Sequence, residues 1–417
     1  MTTEPQVLQA SEWDAWYDIL VSAFGSEESS EERELFRSLT ETERSLGVWD
    51  EGRPVGTAGA FSFRMAVPGG AVVPTAGVTM VSVAPTHRRR GVLRSLMRRQ
   101  LDDLHAAGEE PLAVLTASEP AIYGRFGYGL AARALEATID SSRVSLQLPP
   151  GLEAEAAGLR LRQSNDPSSL QSECEAVYAR CVAARPGMLE RRPGWERQPL
   201  LDPESGREGA SPLRCVVALR GEEPVGYARY AVKPRWSDYD AADGDVLLRE
   251  LNAVDPAAHA ALWRFLFGID LTTSIEAGGR PLDDPWLHWV SDPRRCAPRW
   301  TDTLYLRPVE VGAALAARAY AHPVDVVLEV EDTFCPWNTG RWRLSGDEKG
   351  AVCAPTRDAA DLALSVRELG AAYLGGTSLA ALARSGLVTE ARPDSGALRE
   401  AARAFFGETA PWLPHGF

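Results

Sequence analysis

Lysine is nearly missing from this chain. Only Lys233 and Lys349 carry an ammonium, so arginine supplies 42 (44 − 2) of the 44 basic side chains, a bias that reads as GC-rich coding rather than chemistry. Paired cysteines are missing too. The thiols at 174, 181, 215, 296, 335 and 353 contain no C-x-x-C step, which removes the common zinc and dithiol motifs. Cys174 and Cys181, seven apart on an expected helix, read as core thiols. His87, His105, His259, His288, His322 and His415 show no metal-ligand spacing, so no metal is expected. The opening MTTEPQVLQA has neither a basic region nor an apolar core, and no apolar run reaches 18 residues, so neither a signal peptide nor a membrane span is expected. Free thiols then fit a reducing cytoplasm. Positive charge is in deficit: 44 basic against 58 acidic residues leaves −14, which disfavours nucleic acid and anionic membranes and favours cationic ligands. With 45% hydrophobic residues over 417 positions, there is enough apolar material for about three domains.

The most informative stretch is 78–104, VTMVSVAPTHRRRGVLRSLMRRQLDDL. Its β-branched start alternates as a strand does, and Pro85 ends the run because it cannot donate to a ladder. From Leu93, apolar residues at 93, 96, 97, 101 and 104 fall on one helix face. Between strand and helix stand Arg88, Arg89, Arg90 and Gly91. Glycine lets the backbone approach a ligand, the helix N-terminus presents free N–H groups and a partial positive charge, and three guanidinium groups surround it. A pyrophosphate suits such a cradle. A solvated βα turn is the plain alternative.

This segment resembles the acetyl-CoA motif of the GNAT superfamily of N-acetyltransferases, through Val83-Ala84-Pro85, Arg88 and Gly91. Leu93 stands where that pattern usually has Gly or Ala. The Eis (enhanced intracellular survival) family is the nearer likeness: it too carries an APTHRRRG-type loop followed by two apolar residues, and the block ASEPAIYGRFGYG at 117–129 is similar to its own. The resemblance implies that Val81, Ser82, Val83, Arg88, Arg89, Arg90, Gly91, Val92, Leu93, Arg94, Ser118 and Glu119 bind acetyl-CoA. It implies Tyr123 as general acid, and the carboxylate of a terminal phenylalanine, here Phe417, as general base. His415 is the second choice for that base.

The remaining sequence falls into order around this stretch. Ser11 is expected to cap a helix bearing Trp13, Trp16, Tyr17, Leu20 and Phe24. Ser29 and Glu32 fit a capping box at the start of a second helix. The surrounding acidic run 26–34 is either a solvated helix start or, as the resemblance implies, a wall for a cationic substrate formed by Glu27, Glu28 and Phe36. A hairpin over 46–63, a turn at 68–70 and a buried strand at 111–116 follow. Residues 140–158 read as a linker or surface loop. EGRPVGTA around Val55-Gly56 is then echoed by GEEPVGYA around Val225-Gly226, and Val83-Ala84-Pro85 by Val254-Asp255-Pro256, at offsets of 170 and 171. Two echoes at nearly one offset indicate a duplicated fold. The second copy, Ala257-Ala258-His259-Ala260-Ala261, has neither glycine nor arginine, so it is expected not to bind CoA. Strands at 304–306 and 324–331, and then helices, form a third unit that the family makes sterol-carrier-protein-like.

The expectation is therefore an α+β chain: a catalytic GNAT domain over 1–145, a degenerate GNAT-like domain over 155–295 and a sterol-carrier-protein-like domain over 300–417. The resemblance implies an acetyl-CoA-dependent N-acetyltransferase of aminoglycoside-like polycations, assembled as a homohexamer. The competing readings are acetylation of protein lysines or polyamines, and a non-enzymatic acyl-CoA- or lipid-binding protein.

Overall fold

The computed structural model describes residues 4–25, 28–237, 241–393 and 395–417. Its first part runs β1 (Gln6–Val7), α1 (Trp13–Phe24), α2 (Ser30–Leu39), β2 (Leu46–Asp50), β3 (Arg53–Ala66), β4 (Val72–Val83), α3 (Val92–Ala107), β5 (Leu112–Leu115), α4 (Pro120–Tyr123) and β6 (Gly129–Asp140). Four of the five residues of the apolar stripe read for α3 are buried, Leu96, Met97, Leu101 and Leu104; Leu93 is only half-buried, and Val92 and Gln100 are buried as well. The capping box of α2 forms as expected, with Ser29 Oγ accepting from Glu32 N. Ser11 does not cap α1. It lies inside a short 3₁₀ turn that precedes the helix, and Gln9 and Glu12 make the reciprocal cap instead.

The second part runs α5 (Pro150–Ala157), β7 (Arg160–Ser164), α6 (Gln171–Val182), β8 (Arg214–Arg220), β9 (Glu223–Lys233), β10 (Gly244–Ala253), α7 (Pro256–Phe267), β11 (Thr272–Pro281) and β12 (Arg299–Pro308). The stretch read as a linker contains α5, where a first-turn proline precedes Glu and Ala, both strong helix formers. The duplication has a physical basis at each echo. Ala84 N donates to Val55 O, and Val254 N donates to Val225 O, both at 2.9 Å. A Cβ on Gly56 would come within 2.5 Å of Val92 on α3, and one on Gly226 within 3.0 Å of Leu262 on α7. Each glycine thus lets its helix lie directly on its strand.

The first two parts share one sheet, in the order β1-β2-β3-β4-β5-β12-β6-β11-β10-β9-β8-β7. β12, which contains the expected strand 304–306, is inserted antiparallel between β5 and β6 and so completes the sheet of the first part. The C-terminal part runs α8 (Val311–Ala316), β13 (Val324–Glu331), β14 (Gly340–Asp347), β15 (Gly350–Pro355), β16 (Leu362–Ser365), α9 (Val366–Tyr373), α10 (Leu379–Arg384), β17 (Val388–Glu390) and α11 (Ala397–Phe405). Its sheet has the order β15-β14-β13-β16-β17. Helix α9 lies tight on the large sheet, and a Cβ on Gly370 would meet the Leu306 carbonyl at 2.2 Å. One continuous core therefore joins Trp13, Trp16 and Phe63 of the first part to Leu369, Phe405 and Leu413. Among the described residues no helix is long and apolar enough to cross a membrane.

Candidate active site

The site begins with a strand that loses its neighbour. β4 and β5 pair in parallel at Thr75 with Leu112, Ala76 with Ala113 and Gly77 with Val114, and the pairing stops there. On its other side, β4 faces β3 with Ser82 opposite Thr57 and Thr79 opposite Gly59, so three steps on β4 match two on β3. That is a bulge, and Met80 within it takes φ +52°. A bulge bends its strand. Beyond Gly77, β4 turns away from β5, and the backbone of residues 78–83 has no strand partner on that side among the described residues. An extended amide-bearing chain can pair with such an edge. Ser82 itself is buried, with Oγ 2.7 Å from Thr57 Oγ1, so only its backbone faces a ligand here.

The loop after β4 is tied to the end of β2 through its histidine. His87 Nε2 lies 3.1 Å from Asp50 Oδ2, and Thr86 Oγ1 lies 2.8 Å from His87 Nδ1. Arg88, Arg89, Arg90 and Arg94 are exposed, and Arg89 has φ +63°. Gly91 is the N-cap of α3 with φ +87°, and a Cβ there would meet nothing within 4 Å. Glycine is therefore required for its conformation and not for space. Among the described residues no side chain caps α3, which leaves its first N–H groups suited to an anion. At the matching place in the second part, Asp255 Oδ1 accepts from Ala258 N at 2.9 Å and also pairs with Arg220. The protein's own carboxylate there occupies the position an anionic ligand would need. Val92 is buried against Leu96 and Val55, and Leu93 is half-buried against the core below α3.

Tyr123 ends the short helix that follows β5, after the exposed Ser118 and Glu119. The turn beyond it is fixed from below. Arg307 on β12 donates to the Phe126 carbonyl and pairs with Asp332, both buried, and a Cβ on Gly127 would strike the guanidinium. The Tyr123 ring sits edge-on to Tyr128 at 6.1 Å. Burial, and then the negative charge of Glu119, push its phenol up to about 12, so it holds its proton at neutral pH.

The chain's last residue returns to β4. Thr79 Oγ1 donates to the Phe417 carbonyl oxygen at 3.1 Å. The Phe417 ring stands edge-on to Phe63 at 5.1 Å, and Phe63 and Phe61 both contact Trp195 at 4.8 and 4.9 Å. A Cβ on Gly77 would collide with Phe63 and press on Phe417, so that glycine admits both rings. His415 faces elsewhere: its Nε2 lies 3.2 Å from the Tyr178 hydroxyl of the second part, and burial lowers its pKa to about 4.

Of the substrate residues read from the sequence, Glu28 directly precedes the cap of α2 and Phe36 lies on that helix. Phe36 packs half-buried on the main core. Glu28 is already engaged, 3.2 Å from Arg33 Nη1, and its charge with burial raises the pKa of Tyr17. Glu27 lies outside the described residues. Thr79, Phe61, Phe63 and Trp195 were not singled out from the sequence. The first three look like ordinary strand residues, and Trp195 lies 116 positions (195 − 79) from Thr79, at the start of a 3₁₀ turn.

Comparison with known proteins agrees with this architecture. Residues 4–131 and 187–308 each match an acetyltransferase (GNAT) domain model, and residues 311–414 match a sterol carrier protein domain. An uncharacterized N-acetyltransferase of Streptomyces avermitilis is 63% identical with all of both chains covered. The N-acetyltransferase Eis of Mycobacterium bovis is 36% identical over 94% of each chain. The crystal structure of Eis1 from Mycobacterium abscessus superimposes with TM-score 0.83 at 32% identity, covering 99% of this chain and 100% of that one.

Proposed function

The chain belongs to the Eis family of N-acetyltransferases, and from that premise we propose that it acetylates the amines of aminoglycoside-like polycations, at more than one position. The observation that carries the reading is the groove between β4 and β5, with Phe417 bonded to the strand on one side and Tyr123 on the segment that leaves the other. Arg88, Arg89, Arg90 and Arg94, with the N–H groups of Gly91, Val92 and Leu93, suit a pyrophosphate. The backbone edge at Val81, Ser82 and Val83 suits the amides of a pantetheine arm, and Ser118 and Glu119 border it. Acetyl-CoA supplies the activated thioester. The amine arrives as an ammonium. The carboxylate of a chain ending at Phe417 holds that charge and accepts its proton, and Tyr123 delivers a proton to the leaving sulfur. Buried Phe61, Phe63 and Trp195 back the half-buried ring of Phe417, and that ring gives the amine's carbon skeleton an apolar face. A net charge of −14 draws polycations in, and we place the enzyme in the cytoplasm as a hexamer on its family likeness.

The test is intact-mass analysis of an aminoglycoside panel after incubation with acetyl-CoA, comparing the full chain with one lacking Phe417. Several acetyl increments per drug, lost with Phe417, are expected. Bound acetyl-CoA with no acetylated aminoglycoside would replace this substrate class by polyamines or lysine side chains. Acetylation that survives the deletion would move the base elsewhere.

A further inference from the structure

We infer that the second part, which has no cradle of its own, acts as a clamp on the chain's last residues, and that Tyr178, Arg185 and Asp283 position Phe417 for the amine step. This rests on the reading of Phe417 as the base.

The interior of the second part carries a cluster of charged side chains. Where the first part pairs Thr57 with Ser82 across β3 and β4, the second pairs Tyr227 with Asn252 across β9 and β10, with Asn252 Nδ2 donating to the Tyr227 hydroxyl at 3.0 Å. Around that pair the groove is filled. Glu250 is buried between Arg191 at 2.6 Å and Arg229, and it accepts from Tyr227 at 2.6 Å. Arg191 also binds Glu175 at 2.6 Å and lies 3.8 Å from the centre of the Tyr178 ring. A buried charge network of this kind fixes Tyr178 in place.

The tail lies across this unit. Ala410 N donates to Asp283 Oδ2 at 2.9 Å, and Arg185 Nη1 bridges the Ala410 carbonyl at 2.8 Å and Asp283 Oδ1 at 2.6 Å. Trp412 is buried among Leu170, Val177 and Tyr178, its backbone N–H on the Pro186 carbonyl at 2.9 Å and its indole N–H on the Gly279 carbonyl at 2.6 Å. Gly187 has φ +92°, and a Cβ there would come within 3.0 Å of the Trp412 carbonyl. The same segment pairs with the end of β3 on its other side: Gly187 N donates to Ala66 O at 2.8 Å and Ala66 N to Met188 O at 2.9 Å. His415 closes the set against Tyr178. Two residues of chain reach at most about 7 Å. Phe417 therefore takes its place from anchors made by the second part, while its own bond is to Thr79 of the first. Small errors in placing a reacting group cost rate steeply, up to about a hundredfold per ångström.

The test compares Asp283→Ala, whose site is partly exposed, and Tyr178→Phe, each in the full chain and in the chain lacking Phe417. The expected result is a fall in kcat of about tenfold or more with the KM for acetyl-CoA unchanged, because the cradle is remote from the clamp. In the chain lacking Phe417, neither substitution should slow the reaction further. If deletion of Phe417 slows turnover and Asp283→Ala turns over like the parent, the clamp is overturned and the base assignment stands. Losses that multiply in full with the deletion, or an equal rise in KM for acetyl-CoA, also overturn the clamp as a positioning device. If deletion of Phe417 leaves kcat unchanged, the base assignment falls and the clamp falls with it. Thermal unfolding of Asp283→Ala near the parent temperature separates loss of placement from loss of fold.

Discussion

At the residue scale, Tyr123 and His415 illustrate how burial assigns chemistry. Tyr123 keeps its proton because burial and Glu119 both disfavour the phenolate. Replacing it by Phe should lower kcat by about 10²–10⁴-fold, the usual worth of a general acid, with acetyl-CoA binding little changed. Pre-steady-state turnover at parental rate would remove it from the mechanism. His415 sits the other way round: its folded pKa of about 4 lies below the ordinary 6.5. The neutral ring is therefore the folded form, and its contribution is complete above pH 6.5. As pH falls toward 4 the unfolded chain takes up the proton first, and stability is lost. The melting temperature of the parent should fall more steeply over that interval than that of His415→Asn, measured by calorimetry. Neither environment was legible in the sequence. Tyr123 was found there through a motif, but the Arg307–Asp332 pair beneath its turn comes from 181 and 206 positions away from Phe126 (307 − 126, 332 − 126), and no local pattern encodes it.

At the element scale, the two copies of the strand–turn–helix unit form a matched pair. In one the strand passes through a 3₁₀ turn and Gly91 before α3. In the other Pro256 is the first residue of α7, and the intervening cradle is gone. Gly91→Ala forces a side chain into the left-handed region, at a cost of about 1–2 kcal/mol, and should raise the KM for acetyl-CoA. Asp255→Ala removes a cap worth about 1 kcal/mol and should lower the melting temperature with kinetics unchanged. A kinetic effect from Asp255→Ala would show that the second copy still takes part in binding. This level was the most readable. The stripe of α3, the capping box of α2, β13 at Val324–Glu331 and the apolar helix α7 after Pro256 all follow from periodicity and residue type. The failures were also local. The helix at Pro150–Ala157 was hidden by its proline-rich approach, although a proline in the first turn is compatible with a helix. The acidic start of α2 was legible as charge, but the pairing of Glu28 with Arg33 was not.

At the scale of the whole molecule, the sheet does not respect the linear order of the chain. β12 lies between β5 and β6, so residues 1–145 by themselves would leave two facing strand edges unpaired in the middle of a sheet. Expressed alone, that segment should aggregate or remain unfolded by circular dichroism, and a fragment extending through β12 should be required before a cooperative transition appears. A soluble, cooperatively melting 1–145 fragment would contradict the role given to β12. The sequence offered little warning. The β12 pattern is that of any half-buried strand, and which edge it joins is set by partners far away. The insertion also fixes a timetable for synthesis. β6 ends at Asp140 and β12 at Pro308, so a further 168 residues (308 − 140) must be translated before the gap can be filled. At roughly 5–20 residues per second the ribosome takes on the order of ten to thirty seconds to make them. Throughout that interval an open strand edge stands on each side of the missing strand, a template on which a growing chain can mispair.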